Sequence, residues 1–177
     1  MSEDRPIDSP DRLEQYLQQR QDSEDIEDIE IPTVRVAVVR LGGELYALPA
    51  DGLKQVCKVE SVVPVPGCPS AIAGLIQVGG EIVGIVDLSE LLNARHGRPI
   101  RRGHAMIYEF GRERVGLLVS SVEEVVEVPT DEFLEQNLER ETAYIASEIR
   151  YTDKNVPYIN LRRALASLMD MDEEMLA

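Results

Sequence analysis

The sequence predicts an all-β protein, and three observations support this fold class. Hydrophobic residues make up 44% of the 177-residue chain but aromatic residues only 5%, so Val, Ile and Leu must build the core. The β-branched members of that set favour strands. Short apolar runs alternate with turn-forming residues along most of the chain. Regular turn signals of this kind are typical of small barrels and sandwiches.

Four pairs of apolar runs are separated by two or three turn-forming residues, which predicts four β-hairpins. Their turns are predicted at Gly42–Gly43, Gly79–Gly80, Gly111–Arg112 and Asp153–Asn155. Single strands are predicted near 53–59 and 122–128, which brings the count to about ten strands.

The second hairpin leads directly into a predicted helical turn. The dipeptide Gly79–Gly80 tolerates positive φ at both central turn positions. Asp87 ends the second strand, and its carboxylate can accept hydrogen bonds from the first amides of a helix while Glu90 reaches back. We therefore expect Asp87 to cap a helix, which is also a better interpretation of this carboxylate than catalysis.

The two ends of the chain differ from the strand-rich middle. Residues 1–32 hold eleven acidic residues and three arginines, so their net charge is −8. Ser9–Pro10 predicts the start of a short helix there, within an acidic and flexible tail. At the other end, Asn160 is the expected N-cap of a helix carrying an apolar stripe. We expect one folded domain over 33–170 and a short C-terminal tail over 171–177.

Composition argues against several classes of function. The formal net charge of −15 disfavours nucleic acid and anionic membranes as partners. No apolar run approaches the length of about 18 residues that a membrane helix needs, and the N-terminus lacks a signal-peptide core, so we expect a cytoplasmic protein. Cys57 and Cys68 have no companion ligands at zinc spacing and are expected to be reduced thiols. Neither a metal nor a cofactor is expected.

The candidate catalytic residues do not form a set of nucleophile, base and orienting group. Ser120, Ser121 and Thr130 lack a base and an orienting group at any informative spacing. His96 and His104 bracket an arginine-rich loop that could bind phosphate or an acidic partner. A solvated, charge-balancing connector is the simpler interpretation of that loop. The sequence therefore predicts that the protein is not an enzyme.

The order of several motifs resembles that of CheW-like domains. In the central block a proline-led turn, Ile72-Ala73-Gly74, a hairpin and Asp87-Leu88 follow one another as in that family. The resemblance extends through 45–49, 53–56, 62–66, 115–119 and 122–125, and covers roughly 34 to 168. It implies two small five-stranded SH3-like barrels that share a hydrophobic seam, with short helices and a C-terminal helix.

The same resemblance implies two sets of binding residues. Positions matching Leu53, Val56 and Gly79 contact the receptor, and those matching Gln55 and Gly74 face the kinase. For Leu53 and Val56, ordinary core packing is the alternative. Two positions depart from the family pattern: Gly79 stands where an arginine is usual in the hairpin tip, and Ser120 stands where an aspartate is usual.

The function that the resemblance implies is a non-enzymatic adaptor. Such an adaptor joins a CheA-type histidine kinase to the cytoplasmic tips of methyl-accepting chemoreceptors, and it is recruited to receptor arrays at the inner membrane. The alternative is a divergent CheW-like domain that regulates or sequesters a kinase or a motility component without docking standard receptors. The missing arginine at Gly79 keeps that alternative open.

Overall fold

The structure, a computed structural model, describes residues 31–94, 102–134 and 144–175, with side chains described as far as Leu168. The predicted helix at Ser9–Pro10 and most of the arginine-rich loop, including His96, lie outside these ranges. Eleven strands occur within them, labelled β1–β11: Thr33–Leu41, Glu44–Pro49, Leu53–Val59, Ile72–Val78, Glu81–Asp87, Gly103–Phe110, Glu113–Val119, Ser121–Pro129, Phe133–Leu134, Ile145–Tyr151 and Lys154–Ile159. Helices α1 (Leu88–Leu91) and α2 (Leu161–Met175) and a 3-10 turn at Thr130–Glu132 complete the described elements.

The strands form two sheets, which confirms the all-β class. The first sheet has the order β8-β1-β2-β11-β10-β9 and the second the order β3-β6-β7-β5-β4. Neighbours run antiparallel except β2 with β11 and β5 with β7, which run parallel. Five strands were expected in each sheet, and the first has six because the two-residue β9 pairs with β10.

Each sheet has one face inside its own barrel and one face on a shared seam. On β6, Ala105 and Ile107 belong to an apolar cluster within the second sheet, whereas Met106 and Tyr108 belong to a larger cluster between the sheets. Successive residues of a strand point to opposite faces, so one strand serves both clusters. A third cluster lies within the first sheet. The expected double barrel with a hydrophobic seam is confirmed.

Two local signals around the second hairpin are confirmed, the glycine turn and the Asp87 cap. Gly79 and Gly80 have φ of 59° and 88° in the turn between β4 and β5. The Asp87 carboxylate accepts hydrogen bonds from the amides of Ser89 at 2.9 Å and Glu90 at 3.4 Å, as an N-cap does. Asp87 is therefore a buried structural carboxylate whose hydrogen bonds fix the start of α1.

The C-terminal helix covers the seam. Asn160 Oδ1 accepts a hydrogen bond from the amide of Arg163 at 3.0 Å, which confirms the predicted cap. Leu161 and Leu168 are buried in the seam cluster. The bounds of one predicted turn were wrong: Tyr151 faces Lys154, so the β10–β11 turn consists of Thr152 and Asp153, both at positive φ, and Lys154 and Asn155 belong to β11.

Candidate protein-binding site

The two edge strands of the second sheet, β3 and β4, face one another across an open groove of about 530 Å³. One wall is formed by residues between Gln55 and Ser61, and the other by Val63 and residues 75–79. We call this the β3/β4 groove. It is the place where the barrel of the second sheet is left open.

Gly74 shapes one wall of this groove. Val63 and Leu75 exchange backbone hydrogen bonds of 2.9 and 2.8 Å, which bring the segment after β3 against β4. A Cβ on Gly74 would lie 2.1 Å from the carbonyl oxygen of Val63, and the φ of Gly74 is 138°. Only glycine permits this approach. Gly74 is buried, so it affects a binding partner through the backbone that it positions.

The structure brings together two residues that the resemblance assigned to different partners. Gln55 is exposed on the β3 wall of the groove, and Gly79 is exposed at the end of the β4 wall. A Cβ on Gly79 would meet no atom within 4 Å, so a side chain at this position projects into open space. The groove is therefore open to a partner at both residues.

Leu53 and Val56 lie on the seam face of β3 instead. Leu53 is opposite Tyr108 and Val56 is opposite Met106, and both of these partners belong to the seam cluster. Leu53 is half-buried and packs against that cluster, so the core interpretation describes Leu53 well. Val56 is 40% exposed and is the better candidate for a contact with another protein.

Sequence reasoning missed two apolar side chains beside the groove. Val63 is 65% exposed and Val65 is also exposed, in the segment between β3 and β4. The signal was present in the alternation of Val63, Pro64, Val65 and Pro66, because proline keeps a segment from pairing fully with a sheet. Exposed valines on such a segment are available to a partner.

A second, largely apolar groove of about 400 Å³ lies between α2 and the seam face of the second sheet. Its apolar lining consists of Ile72, Val86, Phe110, Val115, Leu165, Ala166 and Leu168. Arg114 and Arg162 also line it, and Arg114 forms an ion pair with Glu81. The seam face thus presents apolar surface both here and at Val56.

The chemistry of the described residues points to structure and binding. Burial raises the pKa of the Cys57 thiol, which lowers its thiolate fraction and its reactivity. The buried Tyr108 hydroxyl donates to the Pro49 carbonyl at 2.7 Å, and burial raises its pKa strongly. Among residues 31–94, 102–134 and 144–168, no three His, Cys, Asp or Glu side chains lie together as a metal site. The described helices include none that is both long and apolar enough to cross a membrane.

A double barrel with a shared seam and exposed apolar edges defines a class of protein-interaction module. A family model described as the CheW-like domain matches residues 35–169, and the chain belongs to this family. Over 102 residues it is 24% identical to chemotaxis protein CheW of Treponema pallidum (strain Nichols), an alignment that covers 55% of this chain.

That alignment spans 60% of the Treponema relative. The structure resembles the scaffolding protein TtCheW from Thermoanaerobacter tengcongensis with a TM-score of 0.63. The two are 24% identical, and the match covers 73% of this chain and 90% of TtCheW. The structural match thus supports the double-barrel fold.

Proposed function

We propose that this chain is a non-enzymatic adaptor that couples chemoreceptors to a CheA-type histidine kinase in the cytoplasm. Membership of the CheW-like family supports the proposal, and one observation carries it. Strand β3 presents Val56 on the seam face and Gln55 and Cys57 in the β3/β4 groove. Because alternate residues of one rigid strand face opposite ways, two partners can bind at once without competing.

In this proposal the seam face of β3 receives the receptor and the β3/β4 groove receives the kinase, except at the hairpin turn that ends the β4 wall, where the receptor makes its second contact. Val56 contacts the receptor tip together with Leu53, which lies on the same face of β3, and Gly79 contacts the receptor at the hairpin turn. Gln55 contacts the kinase directly, and Gly74 acts on the same contact by holding Val63 in place. A receptor that changes its contacts with the seam face then changes the activity of the kinase through the strands that both partners contact. The complex is recruited to receptor arrays at the inner membrane.

A matched pair of variants tests the receptor surface. Val56 is 40% exposed on β3, and Val125 is 45% exposed on β8 of the first sheet. We expect Val56→Asp to weaken binding of a receptor cytoplasmic fragment at least tenfold, because the charge must lose its water against an apolar partner. Val125→Asp adds the same charge at similar exposure and should bind as the wild type does. Equal affinities for the two variants would remove the seam face of β3 from the proposal.

The glycine at the hairpin tip supports a second candidate function, a kinase regulator that no longer docks standard receptors. Gly79 lacks the charge and the donors of the arginine usual in the family. We expect Gly79→Arg to strengthen receptor binding about tenfold or more, since a hydrogen bond to a charged group contributes about 1.5 to 3 kcal/mol. Gly79→Ala controls for the strain of a side chain at φ 59°. Tight receptor binding by the native chain, unchanged in Gly79→Arg, would exclude this second function.

A further inference from the structure

We propose that the β3/β4 groove binds an extended segment of the kinase by strand addition to the free edge of β4. This inference rests on the proposed function, in which the groove carries the kinase contact. It specifies the form of the kinase segment and the backbone groups that recognise it.

The hydrogen-bonding pattern of β4 shows which groups are available. Leu75 directs both its N–H and its C=O away from β5, because both bond to Val63. In an antiparallel ladder every second residue has the same orientation, and the register from Gly74 to Val78 is unbroken. Gln77 therefore directs its N–H and C=O into the groove. Within the described part of the chain, neither group has a backbone partner on that side.

Beyond the pairing of Leu75 with Val63, the edge of β4 is also unprotected. Its sequence, Ile72–Val78, contains neither a charged residue nor a proline. By contrast β8, one of the two edge strands of the first sheet, carries Glu123, Glu124 and Glu127 and ends at Pro129. Charges and prolines are the usual means of preventing strand addition. The β8 edge of the first sheet is thus blocked, whereas the β4 edge of the second sheet can accept a strand at Gln77.

The groove defines the chemistry of its occupant. Cys57, Ile76 and Val78 line it and pack partly on the inner cluster of the second sheet, so small apolar side chains fit there. Lys58 and Glu60 carry opposite charges on the same wall, so the groove has no strong preference for a charged segment. An extended segment with alternate small apolar residues suits these walls. A second copy of this chain is disfavoured because each copy carries a net charge of −15.

Amide hydrogen exchange on the wild-type chain tests strand addition directly. We expect saturating kinase regulatory fragment to slow exchange of the Gln77 amide at least tenfold, because that amide gains a backbone acceptor. The Arg112 amide, in the turn between β6 and β7, is the internal reference and should be unchanged. Binding without protection of the Gln77 amide would overturn the inference and leave the proposed function standing. If the fragment does not bind at all, both fail.

A pair of substitutions separates the backbone from the side chain. Gln77→Pro removes the outward N–H without removing a bond to β5, which an edge strand tolerates. With the melting temperature checked for both variants, we expect Gln77→Pro to weaken kinase binding at least tenfold and Gln77→Ala to remain within about twofold of the wild type. Equal binding by the two variants would contradict strand addition. Sedimentation of the chain alone as a dimer, with the Gln77 amide protected, would assign the edge to a second copy instead.

Discussion

Replacing Gly74 with alanine tests whether the close approach of Val63 to β4 stabilises the protein. The added Cβ would lie 2.1 Å from the Val63 carbonyl oxygen, at a backbone φ of 138°. The segment must move away, which breaks the two hydrogen bonds between Val63 and Leu75. Each such bond contributes about 1 kcal/mol, and the strained backbone adds about 1 to 2 kcal/mol. We expect a total loss of about 3 to 4 kcal/mol in the free energy of unfolding.

For a chain of this size that loss lowers the melting temperature by about 6 to 16 °C. Gly80→Ala is the matched control, because Gly80 also has positive φ, at 88°, but an added Cβ there meets no atom within 4 Å. The control should lose only about 1 to 2 kcal/mol in the free energy of unfolding, which is the cost of the strained backbone alone. Thermal melts followed by circular dichroism compare the two variants. Equal decreases in melting temperature would refute the reasoning, since the contact with Val63 would then contribute nothing.

Three further predictions follow from burial and hydrogen bonding. Val83 is 1% exposed and Ile82 is 74% exposed on the same strand. Val83→Asp should therefore unfold the protein, whereas Ile82→Asp should keep the circular dichroism spectrum of the wild type. A folded Val83→Asp variant would mean that the wrong face of the strand is assigned to the core. Tyr108→Phe should cost about 1 kcal/mol at neutral pH, because the Pro49 carbonyl loses its donor. Since the pKa of Tyr108 is raised by burial, the unfolded state releases this proton first, and stability falls as pH rises above about 10. Tyr108→Phe should make that alkaline loss of stability smaller. The free energy of unfolding is measured by chemical denaturation at several pH values, and a pH dependence equal to that of the wild type would contradict the assignment. Deletion of residues 1–30 should leave the fold intact, because β1 begins at Thr33; a decrease of more than about 10 °C in melting temperature would show that the deleted segment stabilises the core.

Features of the fold that depend on neighbouring residues were predictable from the sequence. The turn at Gly79–Gly80, the cap at Asp87 and the cap at Asn160 each follow from a few consecutive side chains. The turn after β10 was misplaced because Thr152 and Asp153 adopt positive φ without a glycine to signal it. Local chemistry therefore predicts most element boundaries but misses turns formed by less typical residues.

Pairing between distant strands was not predictable in the same way. The parallel pairs β2–β11 and β5–β7, and the addition of β9, depend on contacts between residues far apart in the chain. The resemblance to a known family supplied the double barrel, whereas turn counting alone left barrels and sandwiches open. Sequence pattern cannot choose between these because both use the same alternation of apolar residues.

The candidate site shows the same limit. The sequence identifies Gly74 as a glycine in a strand, but only the structure shows the Val63 carbonyl that requires it. Gln55 and Gly79 are distant in sequence, and folding places them on one groove. Their proximity depends on how the strands of the second sheet are arranged, which no local sequence motif predicts.

The central claim, that one rigid adaptor holds two partners, is tested most directly by sedimentation of a three-component mixture. The chain, a kinase regulatory fragment and a receptor cytoplasmic fragment are combined at concentrations above their separate dissociation constants. We predict a single complex that contains all three components, and loss of only the receptor fragment from it when Val56→Asp replaces the wild type. If the kinase and receptor fragments instead displace one another, so that only two-component complexes form, the account of two independent surfaces is contradicted.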